Sequence, residues 1–96
     1  MSRLSDYFAD YVPTLYIDYE CGEQYGEGYI KDLGLGFSSE YLIEKFHKIQ
    51  EDNPQKEYNA RVGLTLKEAI KEKFGSEIDH IYISDEDTGD IFIDEQ

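Results

Sequence analysis

The sequence predicts a small single domain of the α+β class, residues 1–96, with an antiparallel β-sheet and two or three helices packed on one face. Three observations predict it. His80–Ser84 and Asp90–Asp94 alternate apolar and polar residues around a turn that ends at Gly89, a hairpin pattern. Segments near residues 4–12, 40–52 and 65–74 repeat apolar residues every three or four positions, the helical period. A chain of 96 residues with nine Tyr and five Phe also has the length of one domain and the aromatic bulk for its core.

Taken in order, Leu4, Tyr7, Phe8 and Tyr11 stand at i, i+3, i+4 and i+7. They predict a first helix over Leu4–Val12, capped by Ser5 and stopped by Pro13. In Thr14–Glu20, Leu15, Ile17 and Tyr19 share one face and Thr14, Tyr16, Asp18 and Glu20 the other, as in a strand. Cys21–Gly28 holds three glycines and two acids and reads as a loop, after which Tyr29–Leu33 pairs back as a hairpin. Gly34 and Gly36 break the chain, and Ser38 or Ser39 opens a helix from Glu40 to about Asp52. Its stripe is Leu42, Phe46 and Ile49, widened by Tyr41 and Ile43, and Asn53-Pro54 ends it.

Residues 56–62 alternate weakly at Tyr58, Ala60 and Val62 and read as a short strand. Thr65-Leu-Lys-Glu68 then reads as a capping box, with Leu64 stapled onto Ala69. The helix it opens carries Leu66, Ala69, Ile70 and Phe74, and Gly75 supplies a left-handed residue after it. In the last hairpin, Ile81, Ile83, Ile91 and Ile93 form the expected inward set, with Tyr82 and Phe92 on the opposite face.

The chain carries 22 acids against nine Lys+Arg, a formal charge of −13. Residues 1–35 hold seven acids and two bases, residues 36–75 seven of each, and residues 76–96 eight acids and no base. A net charge of about 2–8 already suffices to keep a small domain soluble, and self-repulsion beyond that works against the compact state. Such acidity excludes direct nucleic-acid binding, which needs a basic footprint. No apolar run approaches the ~20 residues of a membrane span, and no signal-type apolar core follows Met1, so a cytoplasmic location is expected. Cys21 is the single cysteine and cannot close an internal disulfide. It is expected as a semi-buried residue at a strand end, its thiol pKa raised by Glu20 and Glu23.

Chemical motifs are weak. Gly34-Leu-Gly36-Phe-Ser-Ser39 stands where a phosphate-binding turn would, yet Ser39 replaces the third glycine and the turn has no Lys or Arg. Asp85–Asp90 is rich in acids, but a calcium loop counted from Asp85 would need Gly at Asp90 and Glu at Gln96. His47 and His80 have no partner at metal-ligand spacing, and no nucleophile motif accompanies them. No catalytic residue, metal or cofactor is therefore expected.

The uneven charge is the informative feature. Alternate residues on a strand stand about 6.8 Å apart, two rises of ~3.4 Å, so carboxylates there form a fixed array of negative points. Duplex DNA presents one charge per ~1.7 Å of axis, and a basic channel built for nucleic acid would accept either. The expected partner is a basic protein, a nucleic-acid-binding enzyme or complex. Asp85, Glu86, Asp87, Asp90 and Asp94 are the leading binding residues, with Glu20, Glu23 and Glu27 secondary. Tyr25 and Tyr82, with Tyr16 and Tyr29, would add rigid amphipathic area. In size, acidity and Tyr content the chain resembles small inhibitors carried by phages and mobile elements, among them anti-restriction and anti-CRISPR proteins, some of which mimic DNA. That resemblance is compositional, covers no alignable motif, and implies a non-enzymatic inhibitor. An immunity protein or antitoxin for a basic nuclease toxin shares the same physics, and a small metal-binding module or enzyme is the alternative of another class.

Overall fold

The computed structural model describes residues 8–96. Strands β1 (Tyr16–Cys21), β2 (Gln24–Tyr29), β3 (Ile78–Ser84) and β4 (Ile91–Glu95) form one sheet in the order β2-β1-β3-β4, every neighbouring pair antiparallel. Helices α1 (Ser39–Asp52) and α2 (Tyr58–Phe74) lie between β2 and β3 in the chain. The α+β expectation holds. Helix α2 packs across β4, β3 and β1, and α1 packs against α2. The core lies between this helical layer and one face of the sheet. Among the described residues, no helix is long and apolar enough to cross a membrane.

Residues 8–11 are helical and run into a 3-10 turn, Val12–Thr14, that contains Pro13. Phe8 and Val12 are fully buried, and Phe8 stacks on Phe46 with ring centroids 4.5 Å apart. Leu4, Tyr7 and the Ser5 cap lie outside the described residues. Leu15, Ile17 and Tyr19 are buried as the alternation of the first strand predicts.

The expected Cys21–Gly28 loop is instead most of a strand. Gly22-Glu23 makes a two-residue turn with Gly22 at φ 64, and the β1–β2 register runs from Cys21↔Gln24 to Tyr16↔Tyr29. Gly26 and Gly28 occupy alternate, inward positions of β2. The ring of Tyr19 lies over Gly26, where a Cβ would come within 2.7 Å of it. Glycine here makes room for an aromatic ring on the neighbouring strand. The expected return strand Tyr29–Leu33 is a 3-10 turn, Ile30–Asp32, that buries Ile30.

Helix α1 follows expectation: the Ser38 hydroxyl accepts from the Tyr41 N–H at 3.1 Å, and Leu42 and Phe46 are buried. Helix α2 does not. The expected strand over 56–62 and the Thr65 capping box are both replaced by one 17-residue helix that starts at Tyr58. Thr65 lies inside it, buried, its hydroxyl donating to the Arg61 carbonyl at 2.7 Å. Gly63 does not break the helix but seats it. A Cβ there would fall 2.4 Å from the Phe92 carbonyl oxygen and 2.8 Å from the Ile93 Cβ, so only glycine lets α2 approach β4 this closely. Gly75 ends α2 at φ 65.

The terminal hairpin forms with Ile81 and Ile83 fully buried. Its second strand departs from the expected inward set. The register runs Ile83↔Ile93 and then Ser84↔Ile91, so Phe92 is the extra residue of a bulge. The bulge reverses the phase: Phe92 is buried and Ile91 is 53% exposed.

Candidate functional site

The other face of the sheet bears no helix among the described residues. Cross-strand register groups its side chains into three rows. One row is Tyr29, Tyr16, Ser84 and Ile91; the next is Glu27, Asp18, Tyr82 and Asp94; the third is Tyr25, Glu20 and His80. With strands ~4.8 Å apart, a four-strand row spans roughly 14 Å. The Tyr16 ring meets Tyr29 and Tyr82 edge-on, with centroids 6.2 and 6.3 Å away. The Tyr16 hydroxyl donates to Glu27. That hydrogen bond, with desolvation and the charges of Glu27, Asp18 and Glu86, pushes its phenol up to about 12.

His80 lies between two acids. Its Nε2 is 2.9 Å from Asp18 Oδ1 and its Nδ1 is 3.6 Å from Glu20 Oε1. The Asp18 hydrogen bond raises the imidazole pKa, desolvation opposes it, and the charges of Asp18 and Glu20 reinforce the rise. Sequence reasoning missed both partners, because Asp18 and Glu20 are 62 and 60 positions away in the chain.

The expected binding residues divide into three groups. Glu20, Glu27, Tyr25, Tyr82 and Asp94 share the open face. The β3–β4 turn, at the end of the sheet where Tyr16 pairs with Ser84, presents Glu86, Asp87 and Asp90, all exposed. Glu23 is exposed in the β1–β2 turn at the opposite end, with the open face between it and Glu86, Asp87 and Asp90.

Asp85 departs from its expected role at the head of the binding set. It is buried, accepts from the Tyr11 hydroxyl, and holds the Asp87 and Thr88 N–H groups at 2.9 and 3.2 Å. These bonds, the Tyr11 hydroxyl's foremost, hold its pKa below the usual carboxylate range against the opposing effect of desolvation. It anchors the turn and presents little to a partner. Tyr16, Tyr29, Asp18 and His80 complete the surface. For Asp18, the alternation of β1 already carried the signal.

Charge is arranged differently on the helical layer. Lys45 pairs with Glu72, Lys71 lies 3.7 Å from Glu68 and 3.6 Å from Glu77, and Lys67 lies 2.7 Å from Glu95 on β4. Among the described residues, Asp18, Glu20, Glu27 and Asp94 have no such Lys or Arg partner.

The remaining motifs serve the fold. Gly34 and Gly36, at φ 63 and 75, bend the chain into α1, and the hydroxyl of Ser38 already takes one terminal N–H of that helix. Among the described residues, no group of three or more His, Cys, Asp or Glu is placed to hold a metal ion. Cys21 is fully buried rather than semi-buried, and its thiol donates to the Ser76 carbonyl at 3.2 Å. Its pKa is raised, by desolvation first and then by Asp79 and Glu77 rather than by Glu20 and Glu23. Comparison with protein-family models, with curated proteins and with solved structures finds no match to this chain.

Proposed function

We propose that the protein is a non-enzymatic acidic inhibitor whose open sheet face, with the adjoining β3–β4 turn, occupies the basic surface of a nucleic-acid-binding protein or nuclease. One observation carries this reading: the carboxylates of the open face lack Lys or Arg partners among the described residues, whereas the helical layer interleaves its charges. Strand backbones hold Asp18, Glu27 and Asp94 in one row, so the array loses little conformational freedom on docking. Uncompensated negative charge also steers a basic partner and suppresses acidic ones.

The test is capture at low salt from a lysate of cells that make the protein. Wild type is compared with a variant carrying Glu27→Gln, Glu86→Gln, Asp87→Asn and Asp94→Asn, all exposed positions. A nucleic-acid-binding protein retained by wild type, released by salt, lost by the variant, and displaced from duplex DNA by added wild-type protein is the expected result. Equal retention by both baits, or a captured protein whose DNA binding is unaffected, refutes the reading.

A further inference from the structure

The helical layer contains in full an arrangement that the open face contains in part. The Tyr41 hydroxyl donates to Glu72 Oε1 at 2.6 Å, Lys45 pairs with Oε2 of the same carboxylate, and its Nζ lies 5.7 Å from the Tyr41 ring centroid. One phenol, one carboxylate and one cation close on each other. On the open face the Tyr16 hydroxyl donates to Glu27 Oε2, and no cation joins the pair among the described residues. Lys31 marks the rim of the same aromatic row, its Nζ 6.0 Å from the Tyr29 centroid.

We infer that Tyr16 and Glu27, with Asp18 and Tyr82, form a seat for an arginine side chain of a basic partner, which supplies the cation that Lys45 supplies within the helical layer. Asp18 stands opposite Glu27 in register, and His80 engages only its Oδ1. Two carboxylates from adjacent strands thus each leave an oxygen for an incoming donor. Several donors in one plane, beside aromatic rings, suit a guanidinium better than the single point charge of an ammonium. The inference rests on the proposed function only in taking this face as the docking surface, and it names the chemistry that face selects.

The probe is a fluorescein-labelled octa-arginine peptide titrated at low salt, with octa-lysine as its charge-matched counterpart. Octa-arginine is expected to bind at least about threefold tighter than octa-lysine. Glu27→Gln is expected to weaken it about three- to fivefold. Glu51→Gln, which removes one charge from an exposed position on α1, is expected to have less than half that effect. Tyr16→Leu, which leaves the charge unchanged, should abolish the preference for arginine. In the wild-type 15N spectrum, amides of residues 16–18, 27–29 and 82 should shift before those of α1. Equal weakening by Glu27→Gln and Glu51→Gln, or equal binding of the two peptides by wild type, overturns the inference. Arginine selectivity at this seat without capture of a nucleic-acid-binding protein would sink the proposed function alone. Capture and displacement with no difference between Glu27→Gln and Glu51→Gln would sink the arginine seat alone.

Discussion

The helical layer and the open sheet face draw on the same residue types, Tyr with Glu or Asp, and differ in their cations. On α1 and α2 the carboxylate of Glu72 is closed by Lys45 and Tyr41; on the sheet the carboxylate of Glu27 accepts from Tyr16 and, among the described residues, has no Lys or Arg partner. Residues 36–75, which include both helices, have seven acids and seven bases, while residues 76–96 have eight acids and no base. Exposed ion pairs contribute only about 0–1 kcal/mol each, so the fold does not depend on pairing its surface charges. Stability comes from the core on the covered side, where Ile17, Ile81, Ile83, Leu66 and Ile70 are essentially fully buried. The covered face therefore carries the fold, which leaves the open face able to bear uncompensated charge.

The largest expected effect strikes the covered side. Gly63→Ala places a methyl against the backbone of Phe92. It should destabilise the protein by roughly 1–3 kcal/mol in urea titration through overpacking, although alanine gains about 1 kcal/mol in helix propensity. An unchanged or raised midpoint would mean that α2 is not seated on β4 and that the two faces are not so distinct.

Next comes the turn. Asp85→Ala removes the acceptor of the Tyr11 hydroxyl and of two backbone N–H groups, so it should lower the melting temperature well below that of Asp87→Ala, which removes an exposed acid. Because folding lowers the Asp85 pKa, its contribution is present above the ordinary carboxylate range and is lost as pH falls through the depressed value. Equal melting temperatures for the two variants would return Asp85 to the exposed acids.

The contrast between the layers is sharpened by a pair of single substitutions. Glu72→Gln should cost up to about 1 kcal/mol, because it weakens the bonds to Lys45 and Tyr41. Glu27→Gln should leave stability unchanged or raise it slightly by relieving repulsion among acids. A loss from Glu27→Gln as large as that from Glu72→Gln would erase the distinction.

The smallest effect is expected from His80. Its raised pKa means that it stabilises the fold fully below the ordinary value of 6.5, and that this contribution fades as pH rises through the higher folded value. An NMR titration should place the imidazole midpoint above 6.5, and Asp18→Asn should bring it down. A wild-type midpoint at or below 6.5 would mean that Asp18 and Glu20 do not act on the ring.

Much of the fold was legible because its signals are local. The alternation of Leu15, Ile17 and Tyr19, the Ser38 cap with Leu42 and Phe46, and the left-handed Gly75 each depend on neighbours within a turn or two. The misreadings share one cause. Gly26 and Gly28 read as part of a loop, yet Gly26 answers to the Tyr19 ring, and residues 56–62 read as a strand, yet they belong to a helix that Gly63 seats on the backbone of β4. Phe92 turned inward because of a bulge whose partner lies on β3. A local signal for β2 did exist in Tyr25-Gly-Glu-Gly-Tyr29, where glycine alternates with large exposed residues, but glycine hides the apolar half of a strand pattern.

From its sequence alone the protein is an acidic α+β domain whose net negative charge lies outside residues 36–75, because composition and short-range periodicity are properties of the chain itself. Only the tertiary structure decided that Tyr16, Asp18, Glu27, Tyr82 and Asp94 would be neighbours, that His80 would lie between Asp18 and Glu20, and that Asp85 would be withdrawn into the turn. Strand order and register join residues far apart in the chain, and steric room at glycines selects among the pairings that a local pattern permits.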